Sequence, residues 1–283
     1  MAHWRTGWIS DFHLGTKGSK AEALLDFLRE HEFERLYLVG DIIDVWALRR
    51  GRYWPQPHND VLQKLLRKAR KGTELIYIPG NHDEFVGGYL GAYGNVTIQK
   101  NAIHTTADGR RTLVFHGHEL DAVVQNLGWL AHLGDIGYTL LLRGNGTVDR
   151  ARRLAGLGPW SLSAYVKGRV KNVVQFISDF EEAIVRYAQV YRVEGVVCGH
   201  LHTAAVRTIG TVAYHNTGDW VESCTALVET FEGKIQLLHH LAADEKIDDV
   251  QQEPVCTPAP RKARSWLAGC PGRPEGPADP SGS

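Results

Sequence analysis

Five times along this chain an apolar, partly β-branched run stops at a short turn and hands lone-pair side chains to its end. Arg5–Ser10 runs into Asp11-Phe12-His13, Leu36–Val39 into Gly40-Asp41, and Leu75–Ile78 into Pro79-Gly80-Asn81-His82-Asp83. Thr112–Phe115 runs into His116-Gly117-His118, and Gly195–Cys198 into Gly199-His200-Leu201-His202. β-Branched residues favour strands, while Gly, Pro, Asn and Asp favour turns. A strand that delivers polar residues to its tip is a way to build a site on a rigid scaffold. Any one of these tips could be an ordinary solvated turn. A series of five calls for a fold that gathers strand ends in one place.

The segments between the tips supply such a fold. Lys20–His31 sets Ala23, Leu24, Phe27 and Leu28 on one helical stripe. Strand, helix and strand in this order predict a βαβ unit and a parallel sheet. Asn59-Asp60 opens a basic amphipathic helix over Val61–Lys71. Val45–Pro57 reads as a loop carrying Trp46, Arg49, Arg50, Arg52, Tyr53 and Trp54, whose rings either pack back on the domain or face a ligand. Asn95–His104, Thr211–His215, Ala226–Phe231 and Lys234–Leu238 complete the expected strands, with Asn216-Thr217-Gly218-Asp219 as a turn.

Residues 121–186 break this rhythm with a helical period punctuated by Gly144-Asn145-Gly146 and Gly156-Leu157-Gly158-Pro159. The expected organisation is a core in two parts, 1–120 and 187–240, interrupted by a helical cap insertion over 121–186. A polar tail rich in Pro, Gly and Ser, expected to be disordered, follows over 241–283. Within the insertion, Arg143–Lys171 holds seven Lys/Arg against one acid, a net +6 in a chain that has 32 of each sign. That local excess points to an anionic ligand, while the neutral whole argues against nucleic acid. Arg152, Arg153, Lys167 and Lys171, with Trp46, are the candidate substrate-binding residues. Trp129–Leu133 and Tyr138–Leu142 could add apolar surface opposite Trp46 and Trp54, as a cleft for acyl chains, a patch for a membrane surface, or the insertion's own small core.

None of the four cysteines forms a Cys-x-x-Cys pair, no signal peptide is evident, and no apolar run is long enough to span a bilayer. The expectation is a cytoplasmic protein, able at most to rest peripherally on the inner membrane.

Taken together, the tips offer Asp11, His13, Asp41, Asn81, His116, His200 and His202. These carboxylate, amide and imidazole groups are too many for one tetrahedral zinc and suit two divalent ions sharing Asp41. Their order and spacing resemble the calcineurin-like metallophosphoesterases over residues 5–240. The resemblance implies an α/β fold, a four-layer αββα sandwich with the dinuclear centre at the strand tips. It places Asp11, His13, Asp41 and His202 on one ion and Asp41, Asn81, His116 and His200 on the other. It makes His82 the catalytic histidine outside the ligand set, oriented by Asp44, and it favours Mn2+, with Fe, Zn or Mg also compatible with the ligand types. Hydrolysis would proceed by attack of a metal-bridged hydroxide on phosphorus.

Within the family, Gly40-Asp41-Ile42-Ile43-Asp44-Val45-Trp46, the basic insertion and Asn216–Val221 resemble the UDP-2,3-diacylglucosamine pyrophosphohydrolase branch of the lipid A pathway. A nucleotide-sugar lipid is the implied substrate. The chain departs from that branch at His82, where Arg is usual, and at His118, where Asp is usual, as expected of a paralogue with a different or broader substrate. The alternatives are a phosphodiesterase or phosphatase acting on a soluble nucleotide or other phosphoester, and, in a different class, a non-catalytic interaction module. Such a module should have lost ligands or the catalytic histidine, and this chain keeps them.

Overall fold

The computed structural model describes residues 1–121 and 180–240, together with the backbone of 247–248. Three apolar cores separate four layers of secondary structure. The first sheet has the order β13-β12-β11-β1-β2-β3-β5-β4, with β1 (Ala2–Ile9), β2 (His31–Val39), β3 (Glu74–Ile78), β4 (Gly91–Tyr93), β5 (Val96–Ile98), β11 (Thr225–Glu229), β12 (Ile235–His239) and β13 (Ile247–Asp248). The second has the order β6-β7-β8-β10-β9, with β6 (Ala102–Thr105), β7 (Arg111–Val114), β8 (Gly195–Cys198), β9 (Ala205–Ile209) and β10 (Val212–Asn216). Strands β1, β2, β3 and β5 run parallel, as do β7, β8 and β10, so their carboxyl ends lie on common edges.

Helix α1 (Ala21–Glu30) forms because its apolar residues recur at helical spacing, and it buries Ala21, Leu24, Leu25, Phe27 and Leu28. Helix α3 (Gln56–Arg70) starts on Pro55 with proline in its first turn, where a missing N–H costs nothing. It buries Val61, Leu65 and Ala69, and both helices share a core with Ile9, Leu36, Leu38 and Val228 of the first sheet. Trp8, Tyr37, Val39, Ile76 and Ile78 of that sheet meet Ala102, Val114 and Val197 of the second. On the far side, Phe180, Ala183, Ile184 and Ala188 of α4 (residues 180–191) cover Leu113, Phe115, Val196 and Tyr214. Each fully buried side chain of this size contributes about 1.5–3 kcal/mol relative to exposure.

Several elements differ from the sequence expectation. Val45–Arg50 is a helix, α2, rather than part of a loop. Asp44 caps it by accepting from the Ala47 N–H at 2.6 Å, and it buries no residue, so it has no apolar stripe to betray it. Asn95–His104 is two strands in different sheets, because the chain crosses from one sheet to the other between Ile98 and Ala102. Strands β4 and β9 were not expected, and β2 starts directly at His31. Strand β13 falls within the expected tail and pairs with β12 at the sheet edge. Among the described residues no helix is long and apolar enough to cross a membrane. The stretch 122–179, which includes Arg152, Arg153, Lys167, Lys171, Trp129–Leu133 and Tyr138–Leu142, lies outside the described residues, as does most of the tail.

A buried polar knot ties the two sheets together away from the strand tips. Glu229, on β11, accepts from Arg5 at 2.6 Å and from the Ala107 N–H at 2.7 Å, and its other oxygen lies 2.9 Å from His104 Nε2. Replacing Glu229 with Ala leaves buried His104, half-buried Arg5 and the Ala107 N–H without their acceptor. The Glu229→Ala variant is expected to lose about 3 kcal/mol or more. The check is urea unfolding, with metal uptake at the strand tips unchanged.

Candidate metal centre

Asp11, Asp41 and Asn81 follow β1, β2 and β3 at the carboxyl edge of the first sheet. His116 and His200 follow β7 and β8 of the second, and His202 lies two residues beyond His200. Hydrogen bonds stitch these tips to one another. Asp11 N donates to Gly40 O and His13 N to Asp41 O, both at 3.0 Å, and Gly199 N donates to His116 O at 3.0 Å. Across the sheets, His116 Nδ1 lies 2.8 Å from Val39 O, and His200 N donates to Asp11 Oδ2 at 3.1 Å.

Among the described residues, seven non-glycine positions have positive φ, and five of them are Asp11, His13, Asp41, His200 and His202. Such a backbone is costly for residues with a Cβ and clusters at functional sites. Glycines make room for it. A Cβ on Gly80 would stand 2.2 Å from Asp41 Oδ1, and one on Gly40 would stand 2.1 Å from His116 Nδ1.

The polar groups follow a common plan in which one atom is held by the protein and the other turned inward. Asp11 Oδ2 takes Ser10 Oγ–H and the His200 N–H, which leaves Oδ1 with no partner. Asp41 Oδ1 takes the His82 N–H at 2.8 Å, while Oδ2 faces His116 Nε2 at 3.4 Å and His13 Nε2 at 3.9 Å. His13 Nδ1 is 3.1 Å from Asp44 Oδ2, and His202 Nδ1 is 3.1 Å from Asp219 Oδ2. His202 Nε2 stands 3.3 Å from Asp11 Oδ1.

Among the described residues, the buried ligand-type atoms around these tips that make no aligned hydrogen bond are Asp11 Oδ1, His13 Nε2, Asn81 Oδ1, His82 Nδ1, His116 Nε2, His118 Nδ1 and Asp121 Oδ1. Buried polar atoms are nearly always satisfied, so a cluster of unsatisfied ligand-type atoms at one set of strand tips fits a divalent cation. Among the described residues, three groups have ligand atoms within 4.8 Å of one another: Asp11, His13 and His202; His13, Asp41 and His82; and Asp11, Asp41 and His116. Asp11, His13 and Asp41 each belong to two of them.

His82 and Asp44 stand beside this set. His82 Nδ1 is 3.0 Å from Asp44 Oδ2, a close ionic contact rather than an aligned hydrogen bond, and its Nε2 is 4.0 Å from Asp41 Oδ2. Burial pushes the His82 imidazole down, but the Asp44 contact and the Asp41 and Asp44 charges outweigh it and raise its pKa. Burial pushes the Asp44 carboxyl up, but His13, His82 and the Ala47 N–H hold it well below the carboxylate range. The Trp46 ring lies over His82 at 4.3 Å and stays half exposed, whereas Trp54 packs on the first core and edges onto His58.

Three aspartates that the motifs left without a role hold the tips in place. Asp83 accepts from Gly80 N at 2.6 Å, Ile42 N at 2.8 Å and the Tyr77 hydroxyl, and so clamps the second tip to the third. Asp219 accepts from the N–H groups of Val221, Glu222 and Ser223 besides facing His202. Asp121 Oδ2 lies 2.7 Å from His200 Nε2. Asp83 and Asp219 sit inside motifs visible in the sequence, but an aspartate in a turn carries no mark of its distant partners.

A calcineurin-like phosphoesterase family model matches residues 5–204. The chain belongs to the calcineurin-like phosphoesterase family. It is thus a phosphoester hydrolase of a metal-dependent family, with the mixed two-sheet α/β fold the motifs implied. The UDP-2,3-diacylglucosamine hydrolase of Marinobacter nauticus is 25% identical over 248 residues, covering 84% of this chain and 99% of that one. Its namesake from Psychromonas ingrahamii is 27% identical, covering 83% and 96%. Among solved structures, wild-type Vps29 complexed with zinc from Entamoeba histolytica aligns with a TM-score of 0.44 at 14% identity, covering 87% of this chain and 97% of that one.

The electrostatics of the centre set its pH response. Burial lowers the His116 and His202 imidazoles, but Asp41 beside His116, and Asp11 and Asp219 beside His202, raise each to about 10. The neighbouring carboxylates therefore favour the doubly protonated form of both rings in the metal-free protein, and a cation must displace the Nε2 protons to bind. Metal uptake is expected to release protons, and affinity to climb with pH through neutrality toward about pH 10. Calorimetric titration in buffers of different ionisation enthalpy measures both.

Proposed function

We propose that the chain is a dinuclear metallophosphoesterase acting on a nucleotide-sugar lipid of the UDP-2,3-diacylglucosamine type. The observation that carries the metal-centre reading is the set of buried, unpartnered ligand atoms beside His82. Asp11, His13, Asp41 and His202 would hold one divalent ion and Asp41, Asn81, His116 and His200 the other, with Mn2+ the favoured metal. Such ions supply Lewis acidity toward phosphoryl oxygens and activate water near neutral pH.

The remaining chemistry belongs to the chain. The Asp44 carboxylate 3.0 Å from His82 Nδ1 and the Asp41 charge raise the pKa of the ring and favour its protonated form. Nε2 then faces the centre as a donor, suited to an equatorial phosphoryl oxygen or to the departing oxygen. Trp46 limits the tilt of the His82 ring and offers its open face to the substrate. The fixed orientation of each ligand means that little reorganisation is needed when charge develops on phosphorus. The names of the curated relatives support the lipid-linked substrate. The basic stretch Arg143–Lys171, with Arg152, Arg153, Lys167 and Lys171, supports an anionic one.

Mass spectrometry of products from Mn2+-loaded protein tests the substrate, using UDP-glucosamine derivatives from unacylated to long-chain. KM is expected to fall with acyl length, because each buried CH2 is worth about 0.8 kcal/mol. A flat series moves the substrate to a soluble nucleotide or another phosphoester. The Asp41→Ala variant is expected to lose metal and activity together. His82→Ala should keep its metal and lose kcat by about 10²- to 10⁴-fold. Metal analysis beside kinetics decides this, and loss of metal from the His82 variant would make His82 a ligand.

A further inference from the structure

Three histidines of the centre are held alike. The Nδ1 atoms of His13, His116 and His202 face Asp44, Val39 O and Asp219, and their Nε2 atoms face the central carboxylates. His200 is turned the other way, with Nε2 2.7 Å from Asp121 Oδ2. Its main chain is fixed at φ +66° with its N–H on Asp11 Oδ2. With Nε2 occupied, Nδ1 is the ring nitrogen that remains for a ligand.

A neutral imidazole has one N–H and one lone pair, and the partner of one nitrogen decides which atom keeps the lone pair. We propose that Asp121 is a positioning residue. By accepting a hydrogen bond from Nε2–H, it locks His200 in the tautomer whose Nδ1 lone pair is free to bind a metal ion. The proposal rests on reading His200 as a metal ligand.

The placement of Asp121 is itself constrained. It follows a turn closed by Leu120 N donating to Gly117 O at 3.0 Å, and Leu120 is fully buried in the core beneath α4. Gly117 adopts φ +121°, and a Cβ there would stand 3.2 Å from His200 Cβ. One strand tip thus supplies the candidate ligand His116 and, five residues on, the carboxylate that orients His200 at the next tip. Residue 121 is also the last described residue before the stretch that contains the basic Arg143–Lys171 segment.

The test compares wild type with Asp121→Ala and Asp121→Asn. Asn keeps an oxygen acceptor without the charge. The Asp121 side chain is 44% exposed, so both variants are expected to fold, with thermal melting as the check. In metal-free, ¹⁵N-histidine-labelled protein, wild type and Asp121→Asn should show His200 as the Nε2–H tautomer, and Asp121→Ala a mixture. In calorimetric titration with Mn2+, Asp121→Ala should weaken one of two sites by about 10- to 100-fold and leave the other unchanged. Asp121→Asn should retain most of the affinity. An unchanged tautomer and unchanged affinity in Asp121→Ala would overturn the proposal. So would an Asn variant as damaged as the Ala variant, which would make Asp121 a charged ligand instead. A wild type that takes up no second ion would overturn the dinuclear reading, while the tautomer measurement, made without metal, still decides whether Asp121 sets the ring.

Discussion

A dry crevice can hold several carboxylates and imidazoles only if each is anchored on one side and open on the other. Free on both sides, the rings and carboxylates would turn and pair among themselves. Anchored on both, they would have nothing left to bind with. Here Asp11 and Asp41 each spend one oxygen on backbone N–H groups, and His13, His116 and His202 each commit Nδ1 to a protein acceptor. The atoms left over converge. Strand order, sheet spacing and the supporting aspartates all serve this division.

The division has a cost in backbone conformation. Asp11, His13, Asp41, His200 and His202 are held in the left-handed region, at roughly 1–2 kcal/mol each. Cross-tip hydrogen bonds from Asp11 N and His13 N, and the parallel strands behind them, offset that cost. The two sheets share the burden, because His116 leans on Val39 and His200 on Asp11. The same stability that comes from the inter-sheet core therefore keeps the strained tips in register.

Much of the architecture could be read from the chain itself, for a definite reason. Polar residues that abruptly end an apolar run are a local signal, so the strands leading to Asp11, Asp41, Asn81, His116 and His200 stood out. Features that depend on distant contacts did not. Helix α2 buries nothing, so its sequence has no stripe and only the Asp44 cap reveals it. The passage from β5 to β6 changes sheets within a stretch that looks continuously strand-like. Asp83, Asp219 and Asp121 act on atoms brought near by folding, and in the sequence they are indistinguishable from other turn aspartates.

Asp44 gathers three jobs in one side chain. One oxygen faces both His13 and His82, and the other caps the helix that carries Trp46 over the His82 ring. Two imidazoles and an aromatic face thus hang from a single carboxylate. Changes at Asp44, His13, His82 and Trp46 will not act independently, and the effect of any pair will differ from the sum of its members. A substitution at 82 is expected to preserve the surrounding geometry only if the new side chain, too, can pair with the Asp44 carboxylate that holds His13.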